Sequence, residues 1–302
     1  MRIVILGDGA MGCLFGARLS EHEDVTIIGR HPQAVAEAEN GFVVEEPDGP
    51  HAFHPSYRVS VEGLGKADVV ILFVKGYANE AVLDANKAVI GDHTWLVTFQ
   101  NGAGHEKVME RFVPKEHVVI GTTQDSAHKL GPGHVVHGSR GRGYIGLPQG
   151  ETGDLAFLAG MFQRAGFDIE VERDVRAAIW KKLANNTSVS ITTAVLGCSM
   201  EDLAANPYAW SIVRRLCRET LSVAGKDGYP MDEDAMLEGF FTLCKNAHGG
   251  YTSIYSDVKA RRKTEVDSIS GYVVQRAHEL GIAVPCQELM VAAVHALETR
   301  TY

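Results

Sequence analysis

Short apolar runs alternate with helical spacing through the first half of the chain, and helical spacing alone follows. Arg2–Leu6, Val25–Ile28, Val69–Phe73, Trp95–Phe99 and Val118–Ile120 are rich in β-branched residues and nearly unbroken by polar ones. Runs of that kind suit strands buried on both faces of a parallel sheet. Between them, Ala10–Ser20, Asn79–Asn86 and Glu106–Phe112 have helical spacing, which predicts crossover helices joining the strands. Residues 131–147 read as two short strands around a Gly-rich turn, an antiparallel extension of the same sheet. A helix over Asp154–Ala165 and a strand over Phe167–Val171 complete the domain. From Arg173 the period changes. Arg173–Val195, Met200–Asp227, Asp232–Ala247, Thr264–Leu280 and Gln287–Thr299 repeat their apolar positions every three or four residues. The expected fold is an α/β Rossmann-type, doubly wound domain over residues 1–172, followed by an all-α domain over residues 173–302.

The first strand runs directly into Gly7-Asp8-Gly9-Ala10-Met11-Gly12, which opens the first helix. Glycines at this spacing permit a tight turn, close approach of backbone N–H groups to a pyrophosphate, and close packing of helix on strand. Strand, turn and helix in that order point to a dinucleotide. The second strand ends Ile28-Gly29-Arg30. A carboxylate at its end would hold the ribose hydroxyls of NAD; Gly29 lacks one, and Arg30 offers a guanidinium to a 2′-phosphate. The reading is therefore NADP(H), with Arg30 as a solvated loop charge the plainer alternative. Lys75 and Asn101 both follow strands at the carboxyl edge of the sheet. Lys75 could reach phosphate or ribose or stay in solvent. Asn101 could meet nicotinamide or substrate, or simply form an Asn-Gly turn.

In the second half the most informative segment is Val175–Ser190. At about 100° per residue, Val175, Ile179, Lys182, Leu183, Asn186 and Ser190 share one stripe, while Lys181 points nearly the opposite way. Lys182 thus lies on the face that Ile179 and Leu183 must bury. Such a lysine either snorkels along the stripe edge or serves as a functional group. Glu265, one turn before Ile269, poses the same question. Its alternative is a first-turn acid beside a capping box formed by Thr264 and Asp267.

Composition narrows the field. The 302 residues carry 38 acidic and 29 basic side chains, a formal charge of -9. That balance argues against nonspecific binding to nucleic acid or an anionic membrane. Apolar runs are strand-length, too short to span a bilayer. The first residues lack the apolar core of a signal peptide. Five scattered cysteines without a CxxC pair fit free thiols in the cytoplasm. The pairs His51/His54 and His134/His137 lack a supporting ligand set, so no metal is expected. No GxSxG nucleophile motif is present.

Three later segments give the chain a family likeness: Asn101-Gly102-Ala103-Gly104, Lys182-Leu183-Ala184-Asn185-Asn186, and Thr252–Asp257 with Thr264–Asp267 following. With the glycine turn they resemble the ketopantoate reductase (2-dehydropantoate 2-reductase) family along nearly the whole chain. The resemblance implies that Lys182 is the general acid, that Asn186 and Ser253 bind substrate, and that Glu265 lies by cofactor and lysine. It further implies that Lys75, Asn101 and Ala127 touch NADPH. Two positions depart from the family pattern. Ser190 stands where a second Asn followed by Pro is usual, and Met200 where a further Asn is frequent; Ser190 is kept as a substrate contact. The implied reaction is NADPH-dependent reduction of 2-dehydropantoate to (R)-pantoate, with a small 2-oxo acid as the partner and a homodimer left open. One alternative is a D-2-hydroxyacid dehydrogenase of the same superfamily, acting on branched or aromatic 2-oxo acids. Another is an NADPH-sensing regulatory protein without turnover.

Overall fold

The computed structural model describes residues 1–30, 41–150 and 154–300. The chain folds as two units: Met1–Gln100 with His105–Val175, and Asn101–Gly104 with Arg176–Tyr302.

In the first unit the described strands are β1 (Arg2–Leu6), β2 (Asp24–Ile28), β3 (Phe42–Glu46), β4 (Gly49–Phe53), β5 (Ser56–Arg58), β6 (Val69–Leu72), β7 (Trp95–Thr98), β8 (Val118–Thr122), β9 (Ala127–Gly131), β10 (His134–His137), β11 (Gly143–Gly146) and β12 (Ile169–Val171). Eight of them form one sheet in the order β12-β11-β8-β7-β6-β1-β2-β5. All neighbours in it are parallel except β11 against β8. Alternate residues of β1 serve opposite cores. Ile3 and Ile5 pack with Leu14 and Phe15 of the helix Ala10–Leu19. Val4 and Leu6 pack with Leu83, Met109 and Val113 on the other face. That two-sided burial is why the strands read as unbroken apolar runs. Phe15 stacks on Phe167 at a centroid distance of 3.9 Å and touches Phe73, Phe99 and Phe162. Truncating so central a ring would cost about 3–5 kcal/mol.

The remaining strands form a second sheet, β4-β3-β10-β9, that the sequence pattern did not predict. Its Phe42, Val44, Phe53 and Val135 join the core around Phe15. The segment 131–147 is therefore not a single hairpin extension. β10 pairs with β3 and β9 in the second sheet, and β11 alone joins the main one.

The second unit is helical, as its spacing predicts, with different breaks. The first helix runs Val175–Asn185, passes through a π-helical turn at Asn186–Ser190, and continues as Ile191–Leu196. The expected helix Met200–Asp227 is split. Met200–Ala205 ends before Asn206, whose side chain accepts from the N–H groups of Tyr208 and Ala209 and caps a new helix, Pro207–Lys226. Proline at the first helical position suits that restart. Glu233–Lys245 and Pro285–Glu298 lie near their expected limits. A short helix, Ser253–Lys259, was not anticipated. The expected helix Thr264–Leu280 begins only at Ser270; residues 264–269 form a turn closed by N–H groups of Ser268 and Ile269 on the Glu265 carbonyl. None of the described helices is long and apolar enough to cross a membrane.

Candidate functional site

The glycine turn sits where β1 hands over to the first helix, and its geometry explains the glycines. Gly7 has φ +120°, and a Cβ there would meet the backbone of Phe73 and Val74 at 2.8–2.9 Å. A Cβ on Gly12 would lie 1.9 Å from the Gly7 carbonyl oxygen. Only glycine lets the turn lie against the end of β6 while the helix starts one step later. Gly9 caps the helix through its backbone, without a side-chain capping hydrogen bond. The first-turn N–H groups, contributed from Ala10, Met11 and Gly12, are the anion-binding feature of such a turn.

A cavity of about 670 Å³ opens at this turn. Gly7, Asp8, Gly9, Arg30 and Lys75 all line it, with Lys129 from the second sheet. Its volume falls within the usual range for small-ligand sites. Arg30 is exposed and Lys75 half-buried. Asp8 is the odd member, an acid inside the glycine turn. Its carboxylate accepts from the Tyr57 hydroxyl at 2.8 Å, and Lys129 Nζ donates to its backbone carbonyl at 2.8 Å while lying 3.9 Å from the carboxylate. Ala127 begins β9 and Asn101 follows β7; neither lines this cavity. The residue before Asn101 is firmly held. Gln100 Nε2 donates to the Val74 carbonyl and to Asn79 Oδ1, and its Oε1 accepts from Asn79 and Thr98.

In the second unit, Lys182 is half-buried where Lys181 is exposed, as the stripe requires. Beyond Asn185 the helix is no longer regular. Within the π turn Ile191 N–H donates to the Asn186 carbonyl, five residues back. Turns of this kind occur often at functional sites. Ser190 Oγ donates to Asn186 Oδ1 at 3.3 Å, so the two polar side chains stay adjacent despite the altered register. The Ser190 carbonyl in turn accepts from Thr252, which also shares a 2.8 Å bond with Thr193. Thr252 caps the helix that begins with Ser253. The structure thus links Asn186, Ser190 and the start of the Ser253 helix through one run of hydrogen bonds.

Glu265 lies in the turn 264–269, buried, not in a first helical turn. The capping-box alternative fails on geometry. Thr264 Oγ1 accepts from Val266 N–H, and Asp267 pairs with His295 at 3.0 Å. The same turn receives the Asn101–Gly104 segment: Ala103 N–H donates to the Ser268 carbonyl at 2.9 Å, and a Cβ on Gly102 would strike that oxygen at 2.2 Å. Asn101, Glu265, Asn186, Ser190 and Ser253 therefore all belong to the helical unit.

Three contributors escaped the sequence reading. Tyr57 and Lys129 sit on short, half-polar strands that show no spacing signal. Gln287, fully buried, comes from a helix nearly a hundred residues beyond the π turn. Its Nε2 lies within hydrogen-bond distance of the carbonyls of Thr187 and Leu216 and of Thr220 Oγ1. Of the four histidines that shared three-residue spacing, His51 contacts Asp48, His134 contacts Glu45, and His137 lies between Glu46 and Asp125. Among the described residues no group of three or more His, Cys, Asp or Glu is placed to hold a metal ion.

A glycine turn opening the first helix of a doubly wound sheet, with a separate helical unit carrying Lys182 and its polar row, defines the class of two-domain Rossmann-type oxidoreductases. Residues 3–150 match the ketopantoate reductase PanE/ApbA model, and residues 174–298 match the ketopantoate reductase PanE/ApbA C-terminal model. The chain belongs to the ketopantoate reductase family. It is 29% identical to the 2-dehydropantoate 2-reductase of Streptococcus pyogenes serotype M6 over 304 aligned residues, covering 99% of this chain and 98% of the relative. It is 30% identical to the enzyme of that name from Pyrococcus horikoshii, with 99% and 98% covered. Among solved structures it is similar to D-mandelate dehydrogenase with NADH and anilino(oxo)acetate, at 26% identity and a TM-score of 0.91, covering 99% of this chain and 98% of that one. The 2-dehydropantoate 2-reductase of Geobacter metallireducens GS-15 superposes with the same TM-score at 25% identity, covering 98% and 99%.

Proposed function

We propose that this protein reduces 2-dehydropantoate to (R)-pantoate with NADPH, a step of pantothenate synthesis. In this reading residues 1–172 hold most of the dinucleotide, and residues 173–302, joined by Asn101, supply substrate binding and proton transfer. The observation that carries it is the row Lys182, Asn186, Ser190 on a helix interrupted by a π turn, continued by hydrogen bonds to the Ser253 helix. Bound NADPH supplies the hydride for the keto carbon. The turn Gly7–Gly12 receives the pyrophosphate on the uncapped helix start, Arg30 takes the 2′-phosphate, and Lys75, Asn101 and Ala127 complete the contacts. Lys182 gives its proton to the keto oxygen and stabilises the charge developing there. Glu265 orients the lysine and contacts the cofactor. Asn186, Ser190, Ser253 and Asn101 hold the carboxylate and hydroxyl of the substrate. The reading places the enzyme in the cytoplasm, working on a small 2-oxo acid, and leaves a homodimer open.

A second reading, a D-2-hydroxyacid dehydrogenase for branched or aromatic 2-oxo acids, draws support from the similarity to D-mandelate dehydrogenase. Ser190 and Met200, standing where amides are usual in the family, favour it too. Absorbance of NADPH at saturation, followed with ketopantoate, 2-oxoisovalerate and phenylglyoxylate, separates the two. Ketopantoate as best substrate supports the first reading, and either hydroxyl-free acid as best substrate supports the second. No oxidation with any of them would leave a protein that senses the dinucleotide.

A further inference from the structure

In dinucleotide-binding folds the acid that accepts from the adenosine ribose hydroxyls stands at the end of the second strand, about twenty residues beyond the glycine turn. Here that position is Gly29, the residue following β2. The space its side chain would fill is not empty. A Cβ on Gly29 would lie 1.8 Å from the Tyr57 hydroxyl and 2.7 Å from the Asp8 carboxyl carbon. The Asp8 carboxylate and the Tyr57 hydroxyl occupy that space together, with Tyr57 donating to Asp8 Oδ2 at 2.8 Å. Asp8 and Arg30 line the same cavity.

We propose that Asp8 sets cofactor preference by standing in for the ribose-binding acid and opposing Arg30. This rests on the dinucleotide reading above and deepens it. A carboxylate at the ribose end accepts from the 2′-hydroxyl of NADH and repels the 2′-phosphate of NADPH; the Arg30 guanidinium does the reverse. Lys129, 3.9 Å from the Asp8 carboxylate, offsets the charge that this acid brings so near the pyrophosphate. With acid and guanidinium both present, NADH remains a ligand that the protein binds measurably, and the preference between the two cofactors is a balance.

The test is direct binding, free of turnover. Dissociation constants for NADH and NADPH are measured by nucleotide fluorescence on the unmutated chain, on Asp8→Asn, and on Glu116→Gln, which removes one exposed surface charge from the same unit. Asn is isosteric and can still accept from Tyr57, so the turn keeps its packing. In Asp8→Asn, NADPH should bind more tightly and NADH more weakly, moving the ratio of the two constants by about tenfold. Glu116→Gln should leave that ratio unchanged. An unchanged ratio in Asp8→Asn, or the same shift in Glu116→Gln, overturns the role of Asp8 while leaving the site itself in place. Failure of the unmutated chain to bind either nucleotide overturns the dinucleotide reading, and this proposal with it.

Discussion

Lys181 and Lys182 are adjacent in the chain and differ in surroundings, one exposed and one half-buried on the stripe that includes the buried Leu183. If Lys182 is the proton donor, Lys182→Ala should lower kcat by about 10²- to 10⁴-fold with the dissociation constant for NADPH little changed. Lys181→Ala should leave kcat nearly as it was, because its side chain lies on the exposed face. Steady-state kinetics on the two variants check the assignment, and equal effects would remove it. Arg30 offers a second comparison at the same scale. Arg30→Ala should erase most of any preference for NADPH, since one charge-assisted contact is worth about 1.4 kcal/mol or more, a tenfold ratio. Fluorescence titration reads that directly. At this scale the different surroundings of Lys181 and Lys182 were legible from helical periodicity. Asp8 was equally visible, an acid in the middle of the glycine turn, yet its surroundings needed the positions of Gly29 and Tyr57. Those neighbours lie well beyond the reach of a helical or strand period from Asp8, and no local pattern encodes their approach.

Among the elements, β1, β2, β6, β7 and β8 were legible because burial on both faces leaves a continuous apolar run, whereas the edge strand β5, buried only at Tyr57, was missed. The second sheet was not legible. β3 ends in Glu45 and Glu46, β4 contains Pro50 and His51, and β9 is mostly exposed, so none alternates cleanly. Its register also joins residues far apart in the chain, His134 with Val43. The π turn was hidden for a related reason, since its support comes from Gln287. With Ile191 N–H engaged by Asn186, Gln287 Nε2 serves the Thr187 carbonyl at 3.3 Å. Gln287→Met keeps the volume and removes the donor. Leaving a buried carbonyl short of a partner costs about 1–3 kcal/mol. Thermal unfolding should therefore move down, and KM for the 2-oxo acid should rise more than kcat falls if the turn holds Asn186 and Ser190 in place. The turn bearing Glu265 has its own brace at Glu298, whose Oε1 accepts from Thr264 N–H at 2.7 Å while Oε2 accepts from His295 at 2.9 Å. The hydrogen bond to Glu298, with nearby Asp267, raises the His295 pKa above its usual 6.5 despite partial burial. Burial would raise Glu298, but hydrogen bonds from Thr264 and His295 hold it below its usual 4.5. The His295 contribution to stability is complete below pH 6.5 and lost as pH rises through the raised value. The Glu298 contribution is complete above pH 4.5 and lost as pH falls through the lowered value. The difference in melting temperature between the unmutated chain and His295→Gln should accordingly be largest between those two values and shrink on either side.

For the molecule as a whole, the change of period near residue 173 separates an α/β pattern from a helical one, and family models match on both sides of it. Substrate choice is the property the fold decides least, because similar chains of this architecture include both 2-dehydropantoate 2-reductases and D-mandelate dehydrogenase. Ketopantoate differs from 2-oxoisovalerate by a hydroxyl, and a site that reads a hydroxyl by hydrogen bond rejects the analogue lacking it, since its own polar groups are then unpaired. Ser190 keeps a donor and an acceptor beside Asn186, though with a shorter reach than an amide. Met200 starts its helix with its backbone N–H on the Gly250 carbonyl and brings a flexible apolar side chain. In the proposed site, one polar group for the substrate is thus retained and one replaced by an apolar side chain. Ketopantoate should still be preferred over 2-oxoisovalerate in kcat/KM, and Met200→Asn should widen that preference by adding a second group that only the hydroxyl can satisfy. Ser190→Ala should narrow it. If Met200→Asn instead left the ratio fixed while lowering kcat/KM for phenylglyoxylate, the apolar side chain would be serving an aromatic substrate, and the dehydrogenase reading would take the place of the reductase one with Lys182 keeping its role.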